Sequence, residues 1–237
     1  WPERSPYRLY ALSNAASLLA LALATFWFDV QFTRETQARI WAGSFVLYGL
    51  AILSAGVIAI RSKPAAAALE QSREKQESHS RWLWLALPFC SSTLLLSITA
   101  KLTQDYAVVP FLWTLPLGLY LFTYVLAFDH PRWYPRRFCA GALVVALIFI
   151  WVIVFFGRLQ GNSGFFLPLL AHLAVLGFGC QFCHGELYRL RPKTHDLSGY
   201  YLGIAGGGLL GGLFVSLAAP AWFRTHAELP LSLLLCA

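Results

Sequence analysis

This chain of 237 residues predicts an all-α fold, a polytopic helical membrane bundle. Three observations predict it. Seven apolar stretches of spanning length follow one another, at about residues 7–28, 40–60, 82–100, 110–128, 138–156, 165–187 and 197–223. Charged residues make up 12% of the chain, against about 25% in a soluble domain, and they collect between the stretches. Basic residues also alternate from side to side. Counting the N-terminus with every second gap, one side holds thirteen (Arg4, Arg8, Arg61, Lys63, Arg73, Lys75, Arg81, Arg132, Arg136, Arg137, Arg189, Arg191, Lys193), and the other holds five (Arg34, Arg39, Lys101, Arg158, Arg224). That is the bias of a protein threaded with its basic loops in the cytoplasm, so the N-terminus is expected inside.

The first span opens on Ser5 and Pro6, a capping hydroxyl before a proline suited to a first helical turn. Ser13, Asn14 and Ser17 place small polar groups close together, and in lipid such groups face other helices. The second span leads into residues 61–81, the one long polar connection, expected in the cytoplasm as a short interfacial helix or loop. Pro88 and Pro116 lie inside the third and fourth spans, where neighbouring helices can absorb a kink. The fifth span is almost wholly aliphatic and aromatic and is expected to face lipid. Trp27, Trp41, Trp82, Trp133 and Trp222 sit near span ends, as an interfacial aromatic belt requires. Residues 229–237 begin an eighth apolar run of only about 14 Å, where a span needs about 30 Å. With the lack of Met, this is expected of a piece of a longer chain. The whole of 1–237 reads as one transmembrane domain.

The net charge of +7 lies beside span ends, where anionic lipid is the natural partner. No basic stripe interleaves with exposed aromatics, so nucleic acid is not expected as a partner. The five cysteines lie in or at the edges of apolar segments and are expected as free thiols.

Two motifs mislead as text. Cys180-Gln181-Phe182-Cys183-His184 has the spacing of a c-type haem attachment site. It ends an apolar span, however, and Arg189, Arg191 and Lys193 put that end in the cytoplasm, the wrong side for haem attachment. Gly206-Gly207-Gly208-Leu209-Leu210-Gly211 satisfies G-x-G-x-x-G, but no strand precedes it and it lies mid-span. Gly206, Gly207, Gly208, Gly211 and Gly212 are expected instead to let helix backbones pack closely. Neither a cofactor nor a metal site is expected.

Ionisable groups inside spans are costly and mark candidate sites. His172, Cys183 and Glu186 fall within about 60° of one another on a helical face and are expected to point into the bundle; His184 stands beside them. Lys101 and Asp105, spaced i, i+4 just beyond the third span, are candidates for a polar group at the opposite membrane face. Asn14 completes the polar interior.

Several stretches together resemble one family. They are Ser5-Pro6-Tyr7-Arg8-Leu9-Tyr10-Ala11-Leu12-Ser13-Asn14; Asp105-Tyr106-Ala107 with Pro110-Phe111-Leu112-Trp113-Thr114-Leu115-Pro116-Leu117; Cys183-His184-Gly185-Glu186-Leu187 with Arg191-Pro192; and the glycines 206–212 with Ala219-Pro220. Their order and spacing are similar to the membrane region of bacterial fused major-facilitator/spermidine-synthase-like proteins, over nearly the whole chain. The resemblance implies a major-facilitator-like bundle in a bacterial inner membrane. It also implies further N-terminal spans and a C-terminal aminopropyltransferase-like domain, neither of which lies in residues 1–237. Any aminopropyl transfer would belong to that domain, so no catalytic residue is assigned to this chain.

Two functions are consistent with these features. One is a transporter-like domain that binds or moves a small molecule, resting on the kinked spans, the glycine-rich seventh span and His172. The other is a non-catalytic structural subunit among other membrane subunits, resting on the aromatic content and the lack of a dense polar pathway. A membrane enzyme or haem protein using His172, His184 and Glu186 is the weakest reading, for want of a well-placed ligand set.

Overall fold

A computed structural model describes residues 6–61, 81–105, 110–160, 164, 166–192 and 196–218. Among them the elements are α1 (Pro6–Leu23), a π-helical turn (Ala24–Phe28), α2 (Asp29–Gln31), α3 (Arg34–Arg61), α4 (Leu83–Asp105), α5 (Pro110–Asp129), a 3₁₀ turn (Pro131–Trp133), α6 (Arg136–Gln160), α7 (Phe166–Arg189), α8 (Leu197–Leu213) and a second π-helical turn (Phe214–Ala218). Seven helices are long and apolar enough to cross a membrane. Most of the long connection at 61–81, the eighth apolar run and Trp222 lie outside the described residues.

Local chemistry accounts for the helix starts. Pro6 opens α1, Pro110 opens α5 and Pro131 opens the 3₁₀ turn, each where the missing N–H has no intrahelical partner. His130 caps that turn, its Nδ1 accepting from the Arg132 N–H at 3.1 Å. Pro168 likewise falls in the first turn of α7. Within the spans, hydroxyls return to their own helix: Thr99 donates to Leu95 O at 2.7 Å and Ser91 to Pro88 O at 3.2 Å. A hydroxyl in an apolar span needs such an acceptor. Pro88 and Pro116 are both fully buried, so the bonds they remove are lost inside protein and not against lipid.

By internal packing the chain falls into two compact units, Trp1–Leu21 with Glu77–Ala237, and Ala22–Gln76. In the smaller unit, Gln37 Nε2 donates to Phe28 O at 3.1 Å and to Phe32 O at 3.0 Å, tying the start of α3 to the turn before it. Trp41 stacks on Phe45. No residue of α3 is buried.

In the larger unit, α4 is central and packs on α8, α7 and α5, while α6 lies along α7. α4 and α7 are antiparallel: Trp84, near the start of α4, donates from Nε1 to Leu190 O just past the end of α7, at 3.0 Å. One core is aliphatic, with Leu94, Ile98 and Leu102 of α4 against Ala146, Ile150 and Ile153 of α6 and Ala171, Val175 and Leu176 of α7. The opposite face of α6 exposes Val144, Val145, Ile148 and Trp151, in keeping with a lipid-facing helix. Trp27, Trp41, Trp82 and Trp133 are all exposed.

The second core is aromatic and closes the C-terminal end of α7. Tyr7, Trp84, Phe128, Tyr188 and Tyr200 are buried together. The last carbonyls of a helix lack backbone partners, and here side chains supply them. Tyr200 donates to Leu187 O at 2.9 Å, Arg191 to Tyr188 O at 2.9 Å, Trp84 to Leu190 O, and Tyr7 to Pro192 O just beyond. The Arg191 guanidinium lies 3.8 Å over the Tyr188 ring, a cation–π contact that holds it in place.

The face between α4 and α8 is built on glycine. A side-chain carbon on Gly207 would overlap the Leu85 carbonyl oxygen, and one on Gly211 would come within 2.7 Å of the Phe89 carbonyl oxygen. Backbone meets backbone at these two positions. Gly206, Gly208 and Gly212 would meet only side-chain atoms, at 3.7, 3.4 and 3.8 Å, so their contacts are ordinary. The close approach belongs to two of the five glycines.

Candidate functional site

Three helices bring polar groups to the interior of the larger unit. α4 carries Ser91, Ser92, Thr93 and Ser97, all buried. α5 contributes Tyr120, Thr123 and Tyr124, and α7 contributes His184. From α1, Tyr10 reaches in to pack edge-on against Tyr124, with ring centroids 5.5 Å apart.

His184 is completely buried. Its ring stacks on Tyr124 with centroids 3.5 Å apart and 20° between planes, and Tyr120 meets it edge-on at 5.1 Å. Its Nδ1 lies 3.0 Å from Thr123 Oγ1. The Thr123 hydroxyl in turn donates to Tyr120 O at 2.7 Å. Its other nitrogen, Nε2, has no hydrogen-bond partner among the described residues. A buried polar atom left unpaired costs about 1–3 kcal/mol.

A row of polar and aromatic side chains runs past this ring from α1 to α4. Asn14 Nδ2 donates to the Tyr10 carbonyl at 2.8 Å. The Tyr124 ring also meets that of Tyr120 edge-on, with centroids 5.2 Å apart. Tyr120 Oη then lies 3.3 Å from Ser92 Oγ. Asn14, Tyr10 and Tyr120 are only half-buried, so this row of side chains reaches the unit's surface. Thr93 Oγ1 and Ser97 Oγ are also buried without a partner among the described residues.

The other residues named from the sequence are packed apart. His172 is buried, with Nδ1 donating to Pro168 O of its own helix at 2.7 Å. Cys183 is buried. Glu186 accepts from Tyr134 Oη at 2.7 Å, Arg136 Nε at 2.8 Å and Arg189 Nη1 at 2.9 Å. It therefore clamps the ends of α6 and α7 and the turn between α5 and α6. Gln181 adds to that clamp by donating to Trp133 O at 3.1 Å. His172 and Glu186 share a helix face but stand about 21 Å apart along it, so they do not meet in one site.

Lys101 lies half-buried in the last turns of α4, toward the end remote from Glu186 because α4 and α7 are antiparallel. Asp105 ends α4, and its side chain lies outside the described residues. Cys180 Sγ contacts Ser91 O at 3.8 Å. Among the described residues no group of three or more His, Cys, Asp or Glu is placed to hold a metal ion.

The sequence reading named Asn14 and His184 but missed Tyr10, Tyr120, Thr123 and Tyr124. One signal could have found them. A tyrosine inside a span carries a hydroxyl that needs a partner, and Tyr120, Thr123 and Tyr124 supply three hydroxyls in five residues. In comparison with known proteins, no family model, no curated protein and no solved structure matches this chain.

Proposed function

We propose that this chain is a transporter-like integral membrane domain whose interior binds a small molecule between α1, α4, α5 and α7. One observation carries the reading: His184 Nε2, fully buried and unpartnered among the described residues, in a ring cluster of Tyr124, Tyr120 and the half-buried Tyr10. An apolar core has no use for an imidazole with an open nitrogen, whereas a ligand offers it a partner. The motif order supports placing the domain in a major-facilitator/spermidine-synthase-like fused protein of a bacterial inner membrane. The basic bias supports cytoplasmic basic loops; cysteines introduced at Ser72 and Ser163 would then label from opposite sides, and labelling from one side would refute that orientation.

The test is ligand-dependent thermal stabilisation of the full-length protein in lipid nanodiscs, screened with a library of small polar metabolites. At least one compound is expected to raise the melting temperature of the wild type and to lose that effect in His184→Phe, which fills the same space. A library with no compound that distinguishes the two proteins would reject the reading.

A second reading, a structural subunit of a larger membrane assembly, is favoured by a different observation. His172 and Glu186 are each satisfied by local partners. Stable copurification of other membrane subunits, with no ligand response, would favour it.

A further inference from the structure

The hydrogens around His184 identify what its open nitrogen can bind. Thr123 has one hydroxyl hydrogen. At 2.7 Å from the Tyr120 carbonyl oxygen, that hydrogen must lie between the two oxygens, since two bare oxygens would repel at such a distance. Thr123 Oγ1 therefore has only a lone pair to offer His184, and Nδ1, 3.0 Å away, must carry the proton and donate. A neutral imidazole has one N–H. Its Nε2 is then a bare acceptor.

Charge narrows the class further. The Glu186 carboxylate, two residues along the same helix, is engaged by Tyr134, Arg136 and Arg189. Asp129 at the end of α5 pairs with Arg8, and Lys101 lies near the other end of α4. Among the described residues no charged group is placed to balance an ionic ligand at the ring, and burying an unpaired charge is far costlier than burying a neutral donor. An anion would also meet the Nε2 lone pair. A metal ion would find no second ligand set among the described residues.

We propose that His184 Nε2 accepts a hydrogen bond from a small neutral ligand bearing a hydroxyl or amide N–H, with Thr123 as the positioning residue that fixes the imidazole tautomer. This rests on the small-molecule reading above and adds the chemical class.

The experiment is nitrogen NMR of the full-length protein in nanodiscs, labelled at histidine, with the His184 signals assigned by their loss in His184→Phe. The probes are ethylene glycol and acetamide as neutral donors, and acetate as the anion. Nε2 is expected at the position of an unprotonated ring nitrogen, and it should move upfield with both donors and stay put with acetate. Thr123→Val removes the tautomer lock; it should let both tautomers appear and weaken the donor response about fivefold, the loss of one ordinary hydrogen bond. Thr123→Ser, which keeps the hydroxyl, should restore the wild-type response. A protonated Nε2, an equal response to acetate, or no response to either donor, as a tightly held water would give, would each overturn the inference. If a library compound stabilises the wild type and not His184→Phe while Nε2 stays unmoved by donors, the binding reading stands and the assigned class falls.

Discussion

Gly207→Ala is expected to destabilise the bundle by about 3 kcal/mol, at the upper end of what overpacking costs. The added carbon would overlap the Leu85 carbonyl oxygen, which is backbone of the central helix and cannot swing aside as a side-chain tip could. Relief requires α4 and α8 to move apart along their whole shared face. Gly211→Ala should follow in the same direction with a smaller effect, since its carbon would come to 2.7 Å from Phe89 O. Gly206→Ala is the control: its carbon meets only Leu85 Cδ1 at 3.7 Å, and its change should stay within about 0.5 kcal/mol. Thermal unfolding of the three variants in one detergent measures this. Equal losses at Gly206 and Gly207 would show that the glycines serve flexibility and not close packing.

Glu186→Ala is expected to cost about 2 kcal/mol, in the range of hydrogen bonds to a charged group. The carboxylate is 14% exposed, whereas Arg136 and Arg189 are 61% and 51% exposed. Removing it leaves Tyr134 without its acceptor and brings two guanidinium groups together uncompensated. The cost stays below that of breaking a fully buried pair because water reaches both arginines. Glu186→Gln keeps the shape and one acceptor oxygen, so it should lose less. Both variants should loosen the turn between α5 and α6, read as faster proteolysis near Trp133. A Glu186→Ala protein as stable as the wild type would show the cluster to be a surface contact without weight.

The bundle was legible because apolar length is a direct physical demand of lipid, and over the described residues all seven spans appear as helices. Their ends were less so. α4 runs through Lys101 to Asp105 and α6 runs to Gln160, since a helix does not stop where its apolar face stops. The π-helical turns at Ala24–Phe28 and Phe214–Ala218 left no trace, because an extra residue in a turn does not disturb a uniformly apolar run. The site was half legible. His172, Cys183 and Glu186 stood out as ionisable groups on one helix face, but a shared face is not a shared depth, and the helical rise keeps His172 and Glu186 about 21 Å apart. Tyr10, Tyr120 and Tyr124 were not singled out as polar, because composition alone does not separate a phenol that packs from one that also hydrogen-bonds.

The central claim is that the open nitrogen of His184 faces a bound small molecule. The most direct measurement is a high-resolution electron cryo-microscopy map of the full-length protein in nanodiscs, purified without added ligand exchange. The account predicts density larger than a water molecule within hydrogen-bonding distance of His184 Nε2, about 3 Å, in the wild type and its loss in His184→Phe. Hydrocarbon side chains closed directly over Nε2, with no density between, would contradict it.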